Sequence, residues 1–151
     1  MSEVLTNSGL ERLEIPIMML NSSLYKTSVV NLNHRASSMS LKVIDCPGID
    51  DGIVYAESAT IIMQYPLGSP FTCIVCGRDG VITKRQIIER IRAAYRQQYK
   101  LIKISNDERS GVLNSHPLRN LFIDAVFYNK GSSTIIANVD GIESIVDNYP
   151  F

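Results

Sequence analysis

Apolar positions change their spacing once along this chain, and the change locates its main helix. Before about residue 80 the apolar residues come in short runs. Leu13 to Leu20 is apolar and interrupted by Pro16, which removes a backbone donor and marks an edge strand or an extended entry. Lys26 to Leu32 holds Val29 and Val30, and Leu41 to Ile44 is a second short run. Ser58 to Tyr65, with Ile61, Ile62 and Met63, and Phe71 to Cys76 read as further strands. Ser37-Ser38-Met39-Ser40 reads as a loop. Pro47-Gly48, Asp51-Gly52 and Gly77-Arg78-Asp79-Gly80 mark turns.

From Lys84 to about Lys100 the spacing becomes helical. Ile87, Ile88, Ile91, Tyr95, Tyr99 and Ile102 fall on one face, which predicts that this face meets the core. Thr83 stands at the N-cap and Gln86 three residues later, a pattern in which each side chain satisfies the other's backbone N–H. Ser105 to Ser115 is polar and reads as a loop. Leu121 to Tyr128 and Thr134 to Val139, joined by Asn129-Lys130-Gly131-Ser132, read as a hairpin. Strand alternation then places Phe122 and Tyr128 on one face and Phe127 on the other. The order of strands, one main helix and a hairpin predicts a single α+β domain over residues 1–151. Its mainly antiparallel sheet packs on a helix at about 84–100, followed by a C-terminal β-hairpin.

The totals agree with one folded unit. A chain of 151 residues buries roughly two-thirds of its unfolded surface on folding. The hydrophobic share of 45% and charged share of 20% are those of a globular protein rather than a disordered one. No run reaches the ~20 apolar residues of a membrane-spanning helix. The start Met1-Ser2-Glu3 lacks the basic and apolar regions of a secretory signal. Three cysteines imply no disulfide framework. These features predict an intracellular protein, cytoplasmic or nuclear, with no membrane partner.

Charge is balanced overall and segregated locally. Fifteen basic residues match fifteen acidic ones. Residues 1–75 carry four basic and seven acidic side chains, residues 76–103 eight and two, and residues 104–151 three and six. The positive excess therefore sits on and just before the helix. At 100° per residue, Arg85, Arg92, Arg96 and Lys103 fall within about 40° of one another, with Tyr99 beside them. Such a stripe suits phosphates or an acidic protein surface. The plainer alternatives are a solvated flank whose long stems cover apolar edges, or pairing with the acidic remainder of the domain.

Other motifs fail on physical grounds. Asp45-Cys46-Pro47-Gly48 after Leu41-Lys42-Val43-Ile44 imitates the strand-end Asp-x-x-Gly of GTPases, and Lys26-Thr27 imitates the end of a phosphate loop. That loop needs glycines so that its amides can turn toward phosphate, but Leu20 and Tyr25 occupy their places. Asn129-Lys130 resembles the guanine-reading motif, but Ser132 stands where its acid belongs. Cys73-Ile74-Val75-Cys76 is a C-x-x-C, but on a strand the two thiols point to opposite faces. It also lacks both a helix N-terminus and a second ligand pair nearby in sequence. His34 and His116 are isolated. Asp50-Asp51 and Asp107-Glu108 read as solvated turns. No catalytic, cofactor-binding or metal-ligating residue is assigned, and no cofactor is implied.

The segment Thr72-Cys73-Ile74-Val75, Gly80-Val81-Ile82-Thr83, Ile87-Ile88 and Ile91 resembles small uncharacterised domains of fungal and large-DNA-virus proteins. The likeness covers about residues 70–100, and this helix is richer in arginine. It implies an α+β fold and a non-enzymatic role. The leading expectation is a protein-interaction or assembly module, including self-association as a structural protein of a larger particle, viral among the possibilities. The alternative is nucleic-acid binding through Arg85, Arg92, Arg96 and Lys103. An enzyme with a non-local site is a third reading. The expected contact residues are Arg85, Arg92, Arg96, Tyr99 and Lys103.

Overall fold

The structure is a computed structural model. It describes residues 9–15, 17–20, 48–105 and 108–141, and for 26–30 and 41–45 the backbone alone. Pro16, His34, the Ser37–Ser40 loop, Cys46, Pro47, Asp107 and the C-terminal tail lie outside the described residues.

The fold is mixed α+β. Among the described residues there are ten strands: β1 (Leu10–Leu13), β2 (Met18–Met19), β3 (Lys26–Val30), β4 (Leu41–Asp45), β5 (Gly52–Val54), β6 (Ser58–Met63), β7 (Phe71–Cys76), β8 (Ile82–Thr83), β9 (Leu121–Asn129) and β10 (Thr134–Gly141). The helices are α1 (Lys84–Ser105) and α2 (Ser110–Ser115), with a 3-10 turn at Leu118–Asn120. The main sheet runs β1-β9-β10-β6-β7, and β2 pairs with β9 beyond β1. All its pairings are antiparallel except β10 with β6. The apolar run around Pro16 thus forms edge pieces on β9. β3 pairs with β4, and β5 with β8, as two small separate sheets.

Helix α1 covers one face of the main sheet. Ile87, Ile88, Ile91, Tyr95, Tyr99 and Ile102 are all buried, as their spacing predicts. They meet Ala59, Ile61 and Met63 of β6, Val75 of β7 and Ile135, Ala137 and Val139 of β10 in one core. Fully burying side chains of this size contributes about 1.5–3 kcal/mol each. The helix begins where the sequence places it. Thr83 N–H donates to Gln86 Oε1 at 2.8 Å, and Gln86 N–H to Thr83 Oγ1 at 3.2 Å. Just upstream, Asp79 and Gly80 both have positive φ, and Arg78 and Val81 exchange backbone hydrogen bonds. This two-residue hairpin turn aims the chain from β7 into the helix.

Two expectations are corrected. Ser105 to Ser115 is not all loop, because α2 occupies its second half and buries Leu113. Phe122 and Tyr128 do not share a face. The β9–β10 register shifts so that Asn138 faces Ala125 and Val139 faces Ile123, leaving Asp124 as an extra residue. One inserted residue reverses strand parity. Leu121 and Ile123 before the bulge, and Val126 and Tyr128 after it, face the helix. Met19, Phe122 and Ala125 are buried outside that core cluster, where β3 approaches β2.

Candidate functional site

The five residues singled out from sequence do not form one exposed stripe. Arg85 forms a two-pronged ion pair with Asp50 through its Nε and, at 2.8 Å, its Nη2. The guanidinium holds the Asp50 carboxyl below its ordinary value, chiefly through the hydrogen bond. Arg92 is only 3% exposed, and its Nη2 donates to Met19 O at 2.8 Å. Burial, followed by the nearby Arg96 charge, pulls its pKa below the usual guanidinium range. Tyr99 is buried, and its hydroxyl donates to His116 O at 2.7 Å. A helical wheel cannot separate these cases, because it gives direction around the axis and not what lies there.

The exposed remainder is joined by other cations in a groove. Arg96, Tyr99, Lys100 and Lys103 of α1 form one wall. Leu113 and Asn114 of α2, with Pro117, Leu118 and Arg119 of the following turn, form the other. The groove has a volume of about 660 Å³, and no carboxylate is among its described lining residues. Its geometry follows from the connection between the helices. Tyr99 ties the end of α2 to α1 through His116, while Leu113 anchors α2 in the core. The His116 ring also meets the Tyr65 ring edge-on, with centroids 5.7 Å apart. Arg119 is thereby carried across from the α1 cations.

Lys100 and Arg119 were missed from sequence. Lys100 was legible, since Arg96, Lys100 and Lys103 repeat at i, i+4 and i+7. Arg119 had no such signal, because only the fold of residues 108–120 brings it to the groove. Next to the groove, Leu101 is 50% exposed and Ile104 is 70% exposed. They lie three apart on the outer side of α1, and Ile104 follows Lys100 by one turn. Large aliphatic side chains in water beside a cationic groove give it a mixed apolar and positive rim.

The other motifs stay apart. Cys73 points toward α1 and Cys76 outward, as alternation predicts. Burial raises the Cys73 thiol pKa, with the Arg90 charge opposing in part. Among the described residues no three His, Cys, Asp or Glu side chains are grouped to hold a metal ion. No described helix is long and apolar enough to cross a membrane. Comparison with protein-family models, with curated proteins and with solved structures returns no match.

Proposed function

We propose that this chain is a protein-interaction module that binds an acidic, leucine-bearing segment of a partner through the groove between α1 and α2. The observation that carries the reading is the convergence of Arg96, Lys100, Lys103 and Arg119 on one groove beside exposed Leu101 and Ile104. Carboxylates of the segment pair with the four cations. Apolar side chains of the same segment cover Leu101 and Ile104, which gain from leaving water. Charge complementarity supplies orientation and encounter rate, and apolar contact supplies residence time.

Nucleic acid fits the same cations less well. Single strands use exposed aromatic rings as stacking platforms, and Tyr99 is buried with its hydroxyl engaged. A phosphate backbone also leaves Leu101 and Ile104 without a role.

The test is fluorescence anisotropy with three labelled probes: an acidic peptide containing leucines, the same peptide with its acids changed to amides, and oligonucleotides, single- and double-stranded. The acidic peptide is expected to bind, and to weaken with added salt. Lys100→Glu is expected to weaken it at least about tenfold, and Leu101→Ser with Ile104→Ser by a similar factor. Oligonucleotides binding more tightly than the peptide, with no effect of the Leu101 and Ile104 changes, would replace this reading with the nucleic-acid one.

A further inference from the structure

The face of the main sheet turned away from α1 has a second, different character. Its register sets Phe127, Ile136, Ile62 and Thr72 in one row across four strands, and Asn129, Thr134, Thr60 and Ile74 in the next. Ser58 and Cys76 follow beyond them. None of these ten side chains is charged, in a chain of which 20% of residues are. Ile74 is 59% exposed and stands out from the face. Beside it a groove of about 430 Å³ opens over Ile62 and Ile136, bounded by Tyr65, Pro66 and Gly68.

We infer that this face is the contact between two copies of the chain, packed sheet on sheet about a two-fold axis. A protruding Ile74 and a neighbouring apolar groove on one surface are self-complementary. In an isologous pair each Ile74 enters the other copy's groove, which a head-to-tail contact does not achieve. The ten-residue patch meets its own copy without like-charge repulsion, because the charged residues of the face, Arg12 opposite Phe127 and Asp140 opposite Phe122, stand at its margin, and a formal net charge of zero leaves no long-range repulsion between copies. Thr and Ile side chains standing in rows suit the interdigitation of aligned sheets.

Strand addition at the β7 edge is disfavoured by the same region. Arg90 Nε donates to Ile74 O at 3.0 Å, and Gln86 Nε2 donates to Cys76 O at 3.1 Å. Two outward carbonyls of the edge strand are therefore already occupied, while Thr72, Ile74 and Cys76 on the face are exposed.

Sedimentation equilibrium of the whole chain tests this, with thermal melts as the control for folding. The wild type is expected to reach twice its 16.8 kDa mass as concentration rises to about 0.1 mM. Ile74→Lys is expected to raise the dissociation constant at least about tenfold without lowering Tm, since Ile74 is exposed. Thr72→Lys, also exposed, gives a second route to the same result. Leu101→Ser with Ile104→Ser, on the far side of the molecule, is expected to leave the mass unchanged. Added salt is expected not to dissociate the dimer. A wild type that stays monomeric over that range overturns the inference and leaves the face to a different protein. A dimer indifferent to both lysine substitutions overturns it as well, and one lost in Leu101→Ser with Ile104→Ser places the contact on α1.

Discussion

The two halves of helix α1 carry similar numbers of cations and use them differently. In the first half, Arg85 is paired with Asp50, Arg90 holds a carbonyl of β7 and Arg92 holds a carbonyl of β2. Arg90 and Arg92 are two residues apart, so they leave the helix on opposite flanks and reach strands on opposite sides of the sheet. In the second half, Arg96, Lys100 and Lys103 line a groove with Arg119, and no carboxylate is among its described lining residues. Arginine suits the first task because its rigid fork of donors can satisfy a backbone carbonyl while its stem packs on apolar atoms. A positive charge on a helix is thus accessible to a partner only where the surrounding fold leaves it in water.

Stability should separate the halves most sharply at Arg92. Arg92→Ala removes the hydrogen bond to Met19 O and empties the space of the buried stem, so a loss of about 2–4 kcal/mol is expected in urea unfolding. Arg92→Lys should recover only part of this, because a lysine lacks the fork. A loss no larger than that from Arg96→Ala would erase the distinction between the halves. The start of the helix gives a smaller effect. Thr83→Ala removes one side of the capping pair and should cost about 1 kcal/mol.

In the second half the order of effects reverses. Arg96→Ala, Lys100→Ala and Lys103→Ala should each change stability by less than about 0.5 kcal/mol. Each should nevertheless weaken binding of an acidic peptide and flatten its salt dependence. The mildest contrast concerns the two cysteines of β7. Cys76 is exposed, whereas burial raises the Cys73 thiol pKa and keeps less of it as the reactive thiolate. Site-resolved alkylation near neutral pH should label Cys76 first. Equal rates would mean that β7 does not sit against α1 as described.

Much of this was readable in the sequence because it depends on neighbours. The apolar face of α1 repeats every three or four residues. The Thr83–Gln86 capping pair spans one turn. β7 spans Phe71–Cys76, the run read as a strand from its sequence, and Asp79-Gly80 makes the turn that precedes the helix. Each follows from backbone geometry within a few residues. The α+β class followed from the order of those elements.

Tertiary structure decided what short-range patterns cannot carry. A single bulge at Asp124 reversed which of Phe122 and Tyr128 faces the helix, and nothing local to β9 announces it. Arg92 went inward because the Met19 carbonyl of β2 waits there, 73 residues away in sequence. Arg119 joined the groove because Tyr99 and Leu113 dock the α2 segment against α1. Periodicity fixes the direction of a side chain from its own backbone. Whether that direction ends in water, in a carbonyl or in another cation depends on chain segments that meet only when the whole domain closes.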